Sequence, residues 1–394
     1  MKPFLRAVSL ALAIGFGTRP APAPAQTDLP EQDGGNQAYA LVVAPAKHVR
    51  ASLTVQVEAP KLSAREWVVY AAAMPELTGQ TEVRSTLTPD GHPIRESSPA
   101  ARPVLLARVP VNGPKWRHGL TIGVEYEAVL RARQLVRRRP GGAGADPTVA
   151  PLDPKTRRES LARGDEFDVE SAGFQQWLKK ESLRRESGEG EVDFARRAFL
   201  AIKNGFRYRF TTTLDRLASH VCRAGESDCG GLSIVFVAAL RGNGIPARTL
   251  TGRWALSSDT EPGKEPFHQQ HVKAEFFAQG VGWVPADLAS AVLYDKSPEG
   301  VREFGHDSGD FLTLHLGTAL ELDTIHFGKE PAEWLQGPVF WATGSGTFDG
   351  LKTTENWTVK AEALELREAV LRKPAVPAAK SGTAKKKSMN RARP

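Results

Sequence analysis

The feature of this chain that most constrains its fold is a run of nine residues, LSIVFVAAL at 232–240, that is apolar at every position except Ser233. A helix that is apolar on all sides has no face to offer to water, so other elements must bury it. The next four residues, RGNG, supply a basic last turn and glycines that tolerate positive φ, which is typical of a helix end. The run therefore predicts a buried helix.

The chain is long enough to build more than one core around such a helix. It has 394 residues, of which 41% are hydrophobic and 25% are charged. A chain of this length and composition is expected to be globular and to form two domains.

The first part of the chain has the pattern of β-strands. Between residues 37 and 136, apolar and polar side chains alternate around Val55 and Val124, as expected for half-buried strands. Apolar runs at 67–74 and 103–111, separated by turn-rich segments, add two more strands. We therefore predict an N-terminal antiparallel β-sandwich over residues 37–136, with no cluster of catalytic side chains.

A change of composition marks the end of this domain. Residues 137–165 are rich in glycine, proline and positive charge, which is typical of a linker. Beyond it the hydrophobic period becomes helical, because Phe194, Ala198 and Ile202 recur at intervals of four. An amphipathic helix is therefore expected before the buried one.

Strand patterns return after the buried helix. The segments 246–255 (PARTLTGRWA) and 271–288 (HVKAEFFAQGVGWVPADL) read as strands, with a turn inside the second segment. Together with the helices they predict an α+β domain over residues 166–350, in which a helix packs on a sheet. We assign the aromatic segment 333–350 to the core of this domain.

The beginning of the chain has the pattern of a secretory signal. Lys2 and Arg6 precede an apolar run of about ten residues, and a small-x-small cleavage pattern follows at 23–25. The apolar run is too short to span a membrane, which needs about 18 residues or more. We therefore predict a signal peptide over residues 1–25 and an exported protein, periplasmic or secreted.

The end of the chain accounts for most of its net charge of +7. Residues 374–394 contain six basic residues and no acidic one. This composition cannot form a packed core and predicts a basic, disordered tail. A solvated tail is the simpler interpretation, and weak contact with anionic envelope polymers is the alternative. The rest of the chain carries no nucleic-acid motif, so no nucleic-acid partner is expected.

Three residues in the second domain have the chemistry of a thiol enzyme. Cys229 lies at the start of the buried helix, His271 opens a strand, and Asp287 follows the next strand. An imidazole can take the thiol proton while a carboxylate orients the ring, and a helix N-terminus is expected to lower the pKa of the thiol. The Cys229 amide could donate to an oxyanion. Gly230 and Gly231 are expected to let a substrate backbone approach closely.

The segments that carry these residues resemble a known family. DCGGLSIVFVAALRGNGIPARTLTG, HVKAEFF and GVGWVPADL are similar to three blocks of the transglutaminase-like superfamily, a branch of the papain-like cysteine enzymes. The resemblance covers about residues 193–287. It implies a papain-like α+β domain with Cys229 as nucleophile, His271 as general base and Asp287 as the orienting carboxylate.

The resemblance also implies a reaction and shows one departure. It implies acyl transfer at an amide bond of a protein or peptide through a Cys229 thioester, most simply by a protease or amidase. A cross-linking acyltransferase and a non-catalytic envelope-binding module are the alternatives. Lys273 stands where an aromatic residue is frequent in the family. We expect Lys273 to face solvent, with a preference for acidic substrates as the alternative.

Other interpretations of the same residues lead to different proteins. Cys222 lies seven positions before Cys229, so in an exported protein the two could form a disulfide. The HQQH motif at 268–271 lacks a third ligand and a helical context, and the acidic residues at 303–310 lack EF-hand spacing. No metal or other cofactor is therefore expected, and the acidic segment is interpreted as a polar loop.

Overall fold

The computed structural model describes residues 38–138, 149–211, 214–256 and 269–364. The predicted signal peptide (1–25) and basic tail (374–394) lie outside the described residues. Among the described helices, none has the length and apolar character that crossing a membrane requires.

The described residues form strands in both halves of the chain and helices mainly in between. The strands are β1 (Tyr39–Glu58), β2 (Leu62–Ala72), β3 (Gln80–Thr88), β4 (His92–Arg95), β5 (Pro103–Pro110), β6 (Gly119–Arg137), β7 (Arg207–Tyr208), β8 (Glu226–Ser227), β9 (Ala247–Trp254), β10 (Gln270–Ala278), β11 (Gly282–Ala286), β12 (His306–Asp307), β13 (Phe311–Leu316), β14 (Ala319–Asp323), β15 (Lys329–Glu333), β16 (Val339–Gly346) and β17 (Lys352–Ala363). The helices are α1 (Pro154–Leu161), α2 (Ala172–Lys180), α3 (Glu191–Gly205), α4 (Ala218–Ala224), α5 (Cys229–Gly242) and α6 (Leu288–Tyr294), with a 3-10 turn at Asp165–Phe167. The predicted α+β fold class is confirmed.

Two antiparallel sheets form the β-sandwich. In one sheet β1 lies between β6 and β17, and β6 also pairs with β3 and β12. The other sheet has the order β16-β2-β5-β4. The sheets share one core in which Leu53, Trp67 and Val124 are fully buried. The period-two pattern around Val55 and Val124 thus corresponds to β1 and β6, because alternate side chains of each strand enter this core.

The C-terminal strands complete this sandwich. β16 pairs with β2, and β17 pairs with β1 along its whole length. Trp357 of β17 lies buried in the sandwich core and donates its indole N–H to the carbonyl of Trp254, 3.1 Å away. The sequence assigned the aromatic segment 333–350 to the core of the second domain, but in the structure its strand β16 belongs to the sandwich. An apolar strand can fill either core, and only the long-range pairing decides between them.

The second half of the described chain is built around the buried helix α5. Its side chains pack against β10 and β9 of a four-stranded sheet with the order β11-β10-β9-β13. All positions from Gly230 to Arg241 are buried, as the all-round apolar run predicts. The predicted linker also contains regular structure, because Asp153 accepts hydrogen bonds from two backbone N–H groups and caps α1.

Buried ion pairs join the sandwich to this sheet. Arg133 of β6 donates to Glu275 of β10 at 2.8 Å and to Asp307 of β12 at 3.0 Å. Glu275 also forms an ion pair with Arg248 of β9, in which Nη2 of Arg248 lies 2.6 Å from Oε1 of Glu275. Arg133 and Glu275 are almost completely buried, so these charges rely on each other rather than on water.

Replacing Arg133 tests how much this junction stabilises the protein. The Arg133→Ala variant leaves two buried carboxylates short of a cation, so we expect the free energy of unfolding to fall by about 3 kcal/mol. Urea denaturation followed by tryptophan fluorescence measures it. Arg108→Ala removes a half-exposed arginine from an ion pair with Glu66 and serves as the control, with little expected change. Equal effects of the two substitutions would contradict the prediction.

Candidate active site

Cys229 is the first residue of α5, and its position is fixed by the residue before it. The Asp228 carboxylate caps the helix by accepting from the Gly231 N–H at 3.1 Å. The same carboxylate binds Arg216 through two nitrogens, Nε at 3.0 Å and Nη2 at 2.6 Å. A capped and ion-paired first turn holds the thiol in one place.

His271 and Asp287 are brought together by the antiparallel pairing of β10 and β11. The His271 Nε2 lies 2.9 Å from Oδ2 of Asp287 and donates to it, because an ionised carboxylate can only accept. Asp287 also caps α6, accepting from the N–H and the hydroxyl of Ser290, each at 2.9 Å. With Nε2 engaged, Nδ1 is the imidazole nitrogen left for another partner.

The thiol lies against the strand that carries this histidine. The backbone N–H of Val272, the residue after His271, hydrogen-bonds to the Cys229 sulfur. The structure therefore places all three predicted site residues at one end of α5 and the adjoining strands. The pairing of His271 with Asp287 follows the arrangement expected from the sequence.

Residues 180–288 match the family model of the transglutaminase-like superfamily, and this range contains Cys229, His271 and Asp287. The chain carries a transglutaminase-like domain. The resemblance noted in the sequence is thereby confirmed.

Solved structures with low sequence identity are similar to the chain. A candidate cysteine protease from Cytophaga hutchinsonii is 14% identical, with 82% of this chain and 93% of that chain covered and a TM-score of 0.48. The periplasmic domain of TgpA from Pseudomonas aeruginosa is 15% identical, covering 64% and 92%, with a TM-score of 0.30. Red sea bream transglutaminase is 11% identical, covering 69% and 58%, with a TM-score of 0.27. No curated protein matches the chain.

In the transglutaminase-like domain, the pKa of the Cys229 thiol shifts in the direction opposite to the one expected from the sequence. Burial raises the pKa of Cys229, and Asp228 adds to the rise, while the Val272 N–H and Arg216 oppose it. The sequence predicted a lowered pKa from the helix N-terminus. Burial and, to a smaller extent, the Asp228 carboxylate at that terminus outweigh the helix dipole, and the resting thiol keeps its proton until a base takes it.

The pKa of Asp287, which pairs with His271, shifts in the opposite direction to that of Cys229. Burial alone would raise the pKa of Asp287, but the charge and hydrogen bond of His271, together with Lys273, hold it well below its usual range. Asp287 is therefore ionised at neutral pH and fixes the histidine as a donor through Nε2.

Two aromatic rings of the transglutaminase-like domain contact the His271 ring. Trp254 of β9 stacks on it with ring centroids 4.9 Å apart and an interplanar angle of 23°. Phe311 of β13 meets it edge to face at 6.0 Å. These rings leave the His271 side chain 11% exposed, so its orientation is set by packing as well as by Asp287.

Lys273 does not face solvent as predicted. It lies on the same face of β10 as His271, is 4% exposed, and its Nζ is 3.7 Å from Oδ1 of Asp307. Strand alternation predicts which side of the sheet a residue takes, but here β6 and β12 cover that side. Asp307, interpreted as part of a polar loop, is accordingly a buried ion-pair partner.

The glycines after Cys229 serve protein packing. A Cβ on Gly231 would lie 2.0 Å from the Ser227 hydroxyl, and one on Gly230 would lie 3.0 Å from the Trp334 ring. From the sequence, we expected Gly230 and Gly231 to allow the close approach of a substrate backbone. Trp334 instead covers Gly230 from the loop after β15, where its ring also lies 5.8 Å from the Arg216 guanidinium.

The cysteines and histidines that had alternative interpretations are placed as follows. Cys222 on α4 and Cys229 on α5 are both free thiols, and burial raises the pKa of Cys222 as well. Across the described ranges, no group of three or more His, Cys, Asp or Glu side chains could hold a metal. His268 of the HQQH motif lies outside them.

Tyr208 belongs to the site but escaped the sequence analysis. It pairs in β7 with Ser227 of β8, two residues before Cys229. Burial raises its pKa, and the nearby charges of Cys229, Asp228, Tyr294 and Asp287 raise it further. Its hydroxyl therefore stays protonated at neutral pH. A two-residue strand has too little periodicity to be recognised in a sequence, so no local pattern pointed to it.

The buried carboxylates predict how stability responds to acid. Burial would raise the pKa of Glu275 and Asp307, but arginines lower both, and Lys273 lowers that of Asp307. Like Asp287, they have folded-state pKa values below the unfolded value of about 4. Their stabilisation is therefore complete above about pH 4 and is lost as pH falls towards the folded values.

We expect the free energy of unfolding to decrease steeply as pH falls from about 4 to about 2, as measured by urea denaturation across that range. Asp307→Asn should be less stable at pH 7 but show a shallower decrease, since one of the titrating carboxylates is gone. A decrease as steep as that of the parent protein would rule out Asp307 as a contributor.

Proposed function

We propose that this chain is an exported cysteine hydrolase that cleaves amide bonds of proteins or peptides through a thioester on Cys229. The observation that carries the proposal is the 2.9 Å contact between His271 and Asp287 beside a thiol that hydrogen-bonds to Val272. This arrangement supports a nucleophile, a general base and an orienting carboxylate in one place.

The first half of the reaction forms the thioester. His271 Nδ1 takes the Cys229 proton as the sulfur attacks the substrate carbonyl carbon, and the carbonyl oxygen becomes an oxyanion. The imidazolium then gives its proton to the leaving amine as the C–N bond breaks. Asp287 stabilises the transient imidazolium, which matters here because the raised pKa of Cys229 makes unassisted ionisation unfavourable.

Two donors are available for the oxyanion. The Cys229 N–H stands in the first turn of α5, where backbone N–H groups have no acceptor within the helix. The Tyr208 hydroxyl is protonated and lies within electrostatic range of the sulfur. Preorganised donors of either kind, backbone or side chain, stabilise the oxyanion of acyl transfer.

Water resolves the thioester in the reaction we favour, with His271 acting first as base and then as acid to return the thiol. Resolution by an amine would instead make the protein a cross-linking acyltransferase.

The proposal that the protein is exported rests on the charged and apolar pattern of residues 1–25. Weak contact of the tail at 374–394 with anionic envelope polymers is part of the same proposal, supported by its six basic residues.

Substitution of the two cysteines tests the nucleophile. Cys229→Ala should reduce peptide cleavage by at least about a thousandfold with little loss of stability, because it removes a partly buried thiol at a helix start. Cys222→Ala is the matched control, and it should retain cleavage. The substrate is a proteome-derived peptide library read by mass spectrometry, with cadaverine present.

The mass changes in that library separate the candidate functions. Cleaved peptides that depend on Cys229 support hydrolysis, whereas cadaverine adducts without cleavage would replace it with transamidation. Absence of both products would favour the binding module. Cleavage that survives Cys229→Ala would exclude Cys229 as the nucleophile.

Tyr208→Phe tests the side-chain oxyanion donor. We expect peptide cleavage to fall about a hundredfold, the effect of removing one such donor. Alkylation of Cys229 by iodoacetamide should keep its rate, because that reaction develops no oxyanion. Tyr294→Phe removes a hydroxyl from a half-exposed tyrosine of α6 and is the control. Equal cleavage by the parent and Tyr208→Phe would assign the oxyanion to other donors.

A further inference from the structure

Lys273 and His271 share the same two aromatic rings. The Lys273 ammonium lies 4.4 Å from the ring centroid of Trp254 and 4.9 Å from that of Phe311. His271 stacks on Trp254 and meets the edge of Phe311. We call Trp254 and Phe311 the aromatic pair. Attraction between a cation and an aromatic ring is strongest where the cation is desolvated, so Lys273 stabilises the ring positions that orient His271.

The charge of Lys273 is not needed merely to neutralise its ion-pair partner. Asp307 already accepts from Arg133 at 3.0 Å and from the Gly309 N–H at 2.9 Å. A buried cation at this position therefore points to an effect on its other neighbours, which include the catalytic histidine.

The buried charges around Lys273 balance while His271 is neutral. The cluster contains three cations and three carboxylates that face one another from β6, β9, β10, β12 and the end of β11: Arg133, Arg248, Lys273, Glu275, Asp287 and Asp307. Other titratable groups near His271 are the Cys229 thiol, the Tyr208 hydroxyl and the Asp228–Arg216 pair. Protonation of the imidazole adds an uncompensated positive charge to this cluster.

Given the proposed function, we infer that Lys273 is a positioning residue that holds the aromatic pair against His271 and whose positive charge opposes protonation of the imidazole. The two side chains are two residues apart on one face of a strand, which separates their Cα atoms by about 7 Å. At that range a buried unit charge shifts a titration by about one to two pH units.

The inference predicts opposite effects from two substitutions. Lys273→Met leaves the cluster with one negative charge in excess, which favours the imidazolium, so the ring should titrate about one pH unit higher than in the parent. Asp307→Asn leaves one positive charge in excess, so the ring should titrate lower. Lys273→Arg retains the charge and should titrate close to the parent.

The readout is the NMR titration of the His271 ring, observed by selective carbon labelling of histidine in the full chain. Using the Cys229→Ala background removes the thiol, so that the ring titrates alone, and a spectrum of His271→Gln identifies its signal. Arg248→Met removes the same charge at a greater distance, opposite Glu275, and should give a smaller shift. If Lys273→Met does not fold, Asp307→Asn still tests the sign.

Two results would overturn the inference: coincident titrations of Lys273→Met and the parent, or an Asp307→Asn titration that moves upwards. In proteins that retain Cys229, the acid limb of the pH profile for peptide cleavage should move in the same direction as the ring titration. These results are distinguishable from failure of the proposed function. If only the proposed function were wrong, the parent protein would cleave no peptide, but the His271 titrations of the variants would still differ as expected.

Discussion

The structure depends on charges that are buried along one face of β10. His271, Lys273 and Glu275 alternate with apolar residues that pack on α5, so a single strand carries both the helix contact and the ionic side chains. Each of these groups would be costly to bury alone. Their partners come from other parts of the chain, and the site can form only when those parts are in place.

The sandwich therefore contributes to the transglutaminase-like domain beyond its own folding. Arg133 of β6 reaches Glu275 and Asp307, and Asp307 in turn faces Lys273. The C-terminal segment that leads back into the sandwich also touches the site, because Gln336 donates to the carbonyl of His271 at 2.8 Å. The sandwich and the site share a junction that is ionic and hydrogen-bonded.

The same electrostatics shape the chemistry that the site can perform. Asp228 anchors the first turn of α5 and binds Arg216, yet its charge helps to raise the pKa of Cys229. A protonated resting thiol depends on a base that can take its proton. The raised pKa of the thiol, the ionised Asp287 and the buried Lys273 thus fit one scheme, in which proton transfer to His271 accompanies attack.

Much of this protein was determined by local sequence. The all-round apolar run with its basic, glycine-containing end predicts a buried helix, alternation around Val55 and Val124 predicts strands with one buried face, and the blocks around Cys229, His271 and Asp287 match the superfamily. These features follow from neighbours along the chain. The tertiary structure alone decided the burial of Lys273, the pairing of Tyr208 with Ser227, the elevated pKa of the thiol and the return of β16 and β17 to the sandwich. Each depends on which distant segment covers a given face, since desolvation and charge pairing are set by contacts between residues far apart in sequence.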